Sequence, residues 1–293
     1  MNTSRNPDPF AFLSSATVLR MGLTPVTDQD WVEPFSQAEH ERFYRHKQAI
    51  LSQRPDALLI DETAVQPLAE FSAALRQHLI QVHQQPLAAG KNDVSETLPD
   101  NPLALLRQMT YWIPDDICIL QADVDDNYVL TCASVLSPSL WNPAEKFLQP
   151  LSVIHQPIPE FEARLLPSVN RFFHHIKVET PVVRFNWSIQ VGERLDRWPG
   201  AAARVEDDSP DTLLFYRSER QTLLRLPVSQ AVVFLIRTHL CELSRLEELG
   251  GDKTTLQKLI NHIQSLSQAE RDYKGLTGLQ SALERYRSVV SGH

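Results

Sequence analysis

Five runs rich in β-branched and aromatic residues constrain this chain most, because the links between them leave few ways to join them. The first two, Asp116–Ala122 and Tyr128–Val135, flank Asp123-Val124-Asp125-Asp126-Asn127, a turn-forming stretch that predicts a hairpin. Three more follow, at Val182–Val191, Asp211–Leu226 and Ala231–Leu240, the middle one with a bend near Ser218. Short links join strands antiparallel. One long excursion, after the second run, interrupts the series. The prediction is an α+β fold, an antiparallel sheet with helices on one side.

Helices fill the rest. Residues 1–30 read as an irregular arm. Ser36 and Glu39 have capping-box spacing ahead of a helix over Gln37–Leu51. Leu68, Phe71, Leu75, Leu79 and Ile80 stripe one side of a helix over Ala64–Val82. Residues 84–101 are turn formers, and a short helix is expected over Pro102–Thr110. Glu160–Ile176 is helical but kinked or divided at Pro167. Thr254–Val290 is helical with a break near Gly275–Gly278. The predicted division is an arm at 1–30 and a single domain at 31–293. That domain has a helical part at 31–110, a sheet core at 111–245 and C-terminal helices at 246–293.

Charge excludes some partners. The net charge is −8 and no basic tract follows a phosphate backbone, so no nucleic acid is expected. The longest uncharged run, Asn127–Ala144, is broken by Asn, Thr, Ser and Pro, and no membrane span is expected. The first residues make a poor secretory signal, which places the protein in the cytoplasm. Cys118, Cys132 and Cys241 lack metal-ligand spacing and read as packing residues. The signatures of P-loops, dinucleotide-binding turns, zinc helices and nucleophile elbows are absent from the sequence.

Three stretches carry polar chemistry. The first is "SPSLWNPAEKFLQPLSVIHQPIP", Ser137–Pro159, inside the excursion. Trp141 offers an aromatic wall, Lys146 a cation for a carboxylate, and His155 a nitrogen ligand whose direction Pro157 and Pro159 would stiffen. A core histidine is the plain alternative. The second is "VVRFNWSIQ", where strand alternation puts Arg184, Asn186, Ser188 and Gln190 on one face. They form either a solvated face or the donors of a pocket. The third is "YRSERQTLLRLP", whose Arg217, Gln221 and Arg225 are a surface ladder or a clamp for carboxylates. Residue types and spacing stop at an α+β protein with a candidate ligand pocket.

All three stretches, in this order, resemble the heme-dependent oxidative N-demethylase family. The likeness rests on Pro138, Ser139, Trp141, Glu145, Lys146, Leu151, Ile154, His155, Pro157 and Pro159, on Arg184-x-Asn186-Trp187, and on Arg217 through Pro227. Met21-Gly22-Leu23 and Tyr273-Lys274-Gly275 look like flanking marks, and the likeness runs from about residue 10 to 280. It implies a PAS-like antiparallel sheet enclosing heme b, with N- and C-terminal helices around it. Electrons would come from a separate flavin and iron–sulfur reductase using NADPH or NADH. His155 looks like the axial iron ligand. Trp141, Lys146, Arg217, Gln221 and Arg225 look like cofactor-binding residues, and Arg184 and Asn186 like catalytic donors toward dioxygen. The implied activity is O2-dependent monooxygenation of a small methylated amine with release of formaldehyde. The alternative is a non-catalytic heme sensor or carrier. Leu148 departs from the pattern where a glycine is expected, and Asp115-Asp116 replaces Glu-Asp ahead of the first strand.

Overall fold

The computed structural model describes residues 8–14, 22–83, 97–155, 166–178, 180–199 and 211–291. The expected strands form, at Asp116–Ala122 (β3), Tyr128–Ser134 (β4), Val182–Val191 (β5), Leu214–Arg225 (β6) and Val232–Glu242 (β7). The β6 strand runs through Ser218 without interruption. Two short strands that no periodicity signals, Thr24–Pro25 (β1) and Leu58–Ile60 (β2), pair at the edges. All pairings are antiparallel, in the order β1-β5-β6-β7-β3-β4-β2. Numbered among themselves, the five long strands stand in the order 2-1-5-4-3. The fold is α+β.

Register sorts the residues onto two faces. On the helical face lie Trp187, Ile189, Tyr216, Leu224, Val233, Leu235, Ile117 and Ile119. The helices Gln37–Gln53, Val65–His78 and Pro102–Trp112 cover one half of it, and the C-terminal helices Thr255–Ser265 and Gln280–Ser291 cover the other. The start of the chain packs here too. Phe10 stacks on Tyr216 at 5.3 Å and Phe12 on Trp187 at 5.0 Å. No helix of the described residues is long and apolar enough to cross a membrane.

A strip of buried polar residues divides the two halves. Arg237, 0% exposed, donates from Nε to Asp115 (2.9 Å), from Nη1 to Glu39 (3.0 Å) and from Nη2 to the Glu33 carbonyl (3.1 Å). Glu39 therefore reaches Arg237, while Ser36 Oγ alone accepts from the Glu39 N–H, so only half of the expected capping box forms. Lys47 Nζ donates to the carbonyls of Thr110, Ile113 and Asp115, closing the end of the Pro102–Trp112 helix. Burial pushes its pKa down to about 8. Asp116 accepts from the Leu136 and Ser137 N–H groups at 3.0 and 2.9 Å and so fixes the start of the excursion.

On the opposite face, the excursion folds back over β3 and β4. It forms two short helices, Pro143–Lys146 and Leu151–Ile154, and later the helix Leu166–His175. Pro157, Pro159 and the expected helix start at Glu160 lie outside the described residues. Leu148 has φ 58°, the left-handed conformation that a glycine adopts at no steric cost. The departure noted in the sequence therefore marks a position whose backbone suits glycine. Leu148 is 45% exposed, so Leu148→Gly removes little packing. It should relieve about 1–2 kcal/mol of left-handed strain against about 0.5–1 kcal/mol of added chain entropy. The expected result is a thermal midpoint raised by a few degrees. A lowered midpoint would show that the leucine side chain contributes more than its backbone costs.

Candidate functional site

The face opposite the main helices is apolar at one end and polar at the other. At the β3–β4 end, Cys118, Leu120, Tyr128, Leu130, Leu223 and Val232 are buried beneath Leu151, Phe173 and Ile176. Trp141 and Ile154 pack against the same cluster. At the β5–β6 end, the register sets Arg184 opposite Gln221, Asn186 opposite Glu219 and Ser188 opposite Arg217. The predicted alternation of β5 is thus what brings two of the three polar stretches together.

Glu219 organises the polar end. It accepts from Arg217 Nε (3.0 Å), Asn186 Nδ2 (3.2 Å) and Gln221 Nε2 (3.1 Å). Arg217, only 1% exposed, also donates to the carbonyls of Leu195 (2.8 Å) and Ser137 (2.5 Å) and to Thr238 Oγ1 (3.1 Å). Its donors are thus used by protein groups. Arg225 behaves similarly, donating to the carbonyls of Ile176, Gln230 and Phe173 and to the Tyr128 hydroxyl. It staples β6 to the Leu166–His175 helix.

Arg184 differs from both. Its Nε is enclosed and has no hydrogen-bond partner, and it makes no ion pair among the described residues. Burial lowers its pKa, while Tyr273 and Glu219 act the other way. An enclosed guanidinium N–H without an acceptor is costly.

His155 ends the Leu151–Ile154 helical turn. Its Nδ1 lies 2.9 Å from the Leu151 carbonyl, to which it donates. Burial depresses its pKa most; the Leu151 bond raises it, and the charges of Arg184 and Lys146 lower it again. Burial therefore favours the neutral imidazole, and the carbonyl acceptor at Nδ1 sets a proton on that nitrogen. A metal-binding histidine has this tautomer, one nitrogen oriented by a carbonyl and the other basic. Lys146 donates to the Val153 carbonyl at 3.1 Å, tying together the two short helices on either side of Leu148. The remaining candidates lie elsewhere: His239 binds Glu33 at 2.8 Å beneath the main helices, and His175 donates to the Arg171 carbonyl.

Sequence reasoning gave no role to Glu219 or to Lys274. Lys274 donates to the Trp187 carbonyl at 2.9 Å and sits 4.2 Å from the centre of its ring. It covers the β5 edge beyond Val183, where β1 no longer pairs. The Tyr273-Lys274-Gly275 triplet was visible as a family mark, but its target is 87 residues away in the chain.

The residues present fit a heme. One neutral imidazole, an apolar wall with Trp141, and an enclosed donor on Arg184 suit a flat apolar cofactor with a single protein ligand. No cluster of three or more metal-ligating side chains occurs among the described residues. Two surface grooves, of about 370 and 300 Å³, lie on the N-terminal helices between Val65 and Leu105 and not on this face. The family model described as "Haem-dependent oxidative N-demethylase, alpha subunit-like" matches residues 22–284. The chain belongs to that family.

Proposed function

We propose, proceeding from that membership, that this protein is a heme b-dependent oxygenase that removes a methyl group from a small methylated amine. What supports the reading is a largely enclosed His155, oriented by the Leu151 carbonyl, with Arg184 and its unpartnered Nε within electrostatic reach of it. In this reading, residues 31–293 act as one heme-binding domain.

His155 would hold the iron through Nε2, its ring fixed by the Leu151 carbonyl, and Trp141 would wall the cofactor. When bound, the heme supplies the oxidising chemistry toward dioxygen. Arg184 would offer N–H donors to negative charge developing beside the cofactor, a contribution that grows in a dry site. Asn186 is bonded to Glu219, so its part is to hold that carboxylate in place or to turn toward substrate. Lys146 would pair with a cofactor carboxylate in addition to the Val153 carbonyl. Arg217, Gln221 and Arg225 brace the walls through the bonds they already make. The balance is one methylated amine, one O2, two electrons and two protons, giving the demethylated amine, formaldehyde and water. The electrons would come from a flavin and iron–sulfur reductase using NADPH or NADH.

The test is Arg184→Ala in heme-loaded protein, with a chemical or enzymatic reductant, O2 and a panel of methylated amines. Heme content should remain near wild type, while formaldehyde release falls about 10²–10³-fold. Wild-type turnover with full heme would remove Arg184 from the chemistry. Loss of heme instead would assign it to the cofactor's carboxylates. A wild-type protein that binds heme but releases no formaldehyde with any amine would be a sensor or carrier.

A further inference from the structure

The excursion that carries Trp141 and His155 leaves the sheet through Leu136 and Ser137, 0% and 5% exposed. Buried backbone groups need partners, and neighbouring backbone usually supplies them. Here side chains supply all four. Asp116, at the start of β3, takes the Leu136 N–H on Oδ1 at 3.0 Å and the Ser137 N–H on Oδ2 at 2.9 Å. His46 Nε2, on the Gln37–Gln53 helix, donates to the Leu136 carbonyl at 3.1 Å and lies 3.2 Å from the Ser137 hydroxyl. Arg217 Nη2, on β6, donates to the Ser137 carbonyl at 2.5 Å.

The chain just beyond this grip is strained. Leu140, the residue before Trp141, has φ 63°, a left-handed backbone that its Cβ disfavours. Such a conformation persists where its surroundings hold it. The Leu140 N–H donates to the Arg197 carbonyl at 2.7 Å, and the Arg197 N–H donates to the Pro138 carbonyl at 2.8 Å. Arg217 secures that second segment as well, through the Leu195 carbonyl at 2.8 Å. The His155 half of the excursion is attached separately. Leu148 N–H donates to the Leu130 carbonyl at 2.9 Å, and Leu130 N–H to the Gln149 carbonyl at 3.3 Å. Trp141 thus depends on the first attachment and His155 on the second.

We propose that His46, Asp116 and Arg217 form a clasp on Leu136 and Ser137 that positions Trp141 and leaves the seat of His155 alone. His46 is then a positioning residue, acting from the far side of the sheet through the Leu136 carbonyl. That the Trp141 wall serves a cofactor rests on the heme reading above; the clasp itself does not.

The experiment compares His46→Ala, which removes the donor, with His46→Gln, whose amide N–H can replace Nε2. Hydrogen exchange of the heme-free full chain is followed by mass spectrometry over residues 137–142 and 148–155. His46→Ala should speed exchange about three- to ten-fold in the first stretch, the effect of one lost hydrogen bond, and leave the second at the wild-type rate. His46→Gln should restore the protection. Heme titrations of His46→Ala, Trp141→Ala and the double variant complete a cycle. His46→Ala should weaken heme binding about three- to ten-fold while Trp141 is present, and have little effect once it is gone. Unchanged exchange over 137–142, equal loosening of both stretches, or a heme loss that persists in full without Trp141 overturns the proposal. Should His46→Ala fail to fold, His46→Asn, too short to reach the carbonyl, takes its place against His46→Gln. A wild-type protein that takes up no heme overturns the heme reading, and the exchange results then decide the clasp by themselves.

Discussion

His155→Ala should give a folded protein that purifies with little heme and shows a weak Soret band per chain. His155 ends the helical turn whose Leu151 and Ile154 pack into the apolar wall, and the Leu151 carbonyl orients its ring. Even groups that only orient a metal ligand are worth about 10–100-fold in affinity, so loss of the ligand itself should exceed about 100-fold. The fold should survive, because Leu151 stays in the apolar cluster and the sheet is untouched. Far-ultraviolet dichroism close to wild type, with heme affinity sharply reduced, is the expected pair of measurements. An unchanged histidine-ligated spectrum would move the ligand elsewhere. His174, edge-on to Tyr128 at 5.6 Å, would then be examined ahead of His239, which Glu33 already engages.

The second large effect concerns stability. Arg237→Ala should destabilise the protein by about 3–5 kcal/mol, the usual result of stripping one partner from a buried ion pair. Asp115 would remain 0% exposed with its Oδ2 partner gone, and its Oδ1 already lacks one. The guanidinium also lies over the Phe35 and Phe43 rings at 5.3 and 5.9 Å, so alanine opens a gap beside both. Against a total of about 5–15 kcal/mol for a folded domain, such a loss is severe. Denaturant unfolding measures it. Arg237→Met with Asp115→Asn should recover part of the loss relative to Arg237→Met alone. Equal stability of those two variants would mean that packing, and not the stranded carboxylate, dominates.

The readable parts of this chain are those whose signal is local. The alternation in Val182–Val191 gave the strand, its polar face and the pairing of Arg184 with Asn186 on that face. The absence of glycine at Leu148 was legible only against the family pattern, and the left-handed backbone there supplies its physical meaning. The strands Thr24–Pro25 and Leu58–Ile60 were not legible, since two or three residues carry no period. Arg217 and Arg225 look alike on β6, and only the folded chain reveals that backbone carbonyls from Leu195, Ser137, Ile176 and Gln230 use their donors. Nothing beside Lys47 or Arg237 in the sequence names the groups that bury them. Their burial depends on carbonyls and carboxylates contributed from far along the chain.

The strand order has a consequence for synthesis. The strands β3 and β4 are made early, but β3 finds its second neighbour only in β7, with Asp116 opposite Ile236. A ribosome releasing the chain from its N-terminus must produce everything through Glu242 before the centre of the sheet can close. Until then Ile117 and Ile119 lack Val233 and Leu235 beside them, and the nascent half offers an unpaired edge. Such late, non-local closure is slow and leaves the chain prone to aggregation. Truncations ending before β7 should therefore collect in inclusion bodies, and ribosome-bound chains should begin to resist protease only once they extend far enough past Glu242 for β7 to clear the exit tunnel.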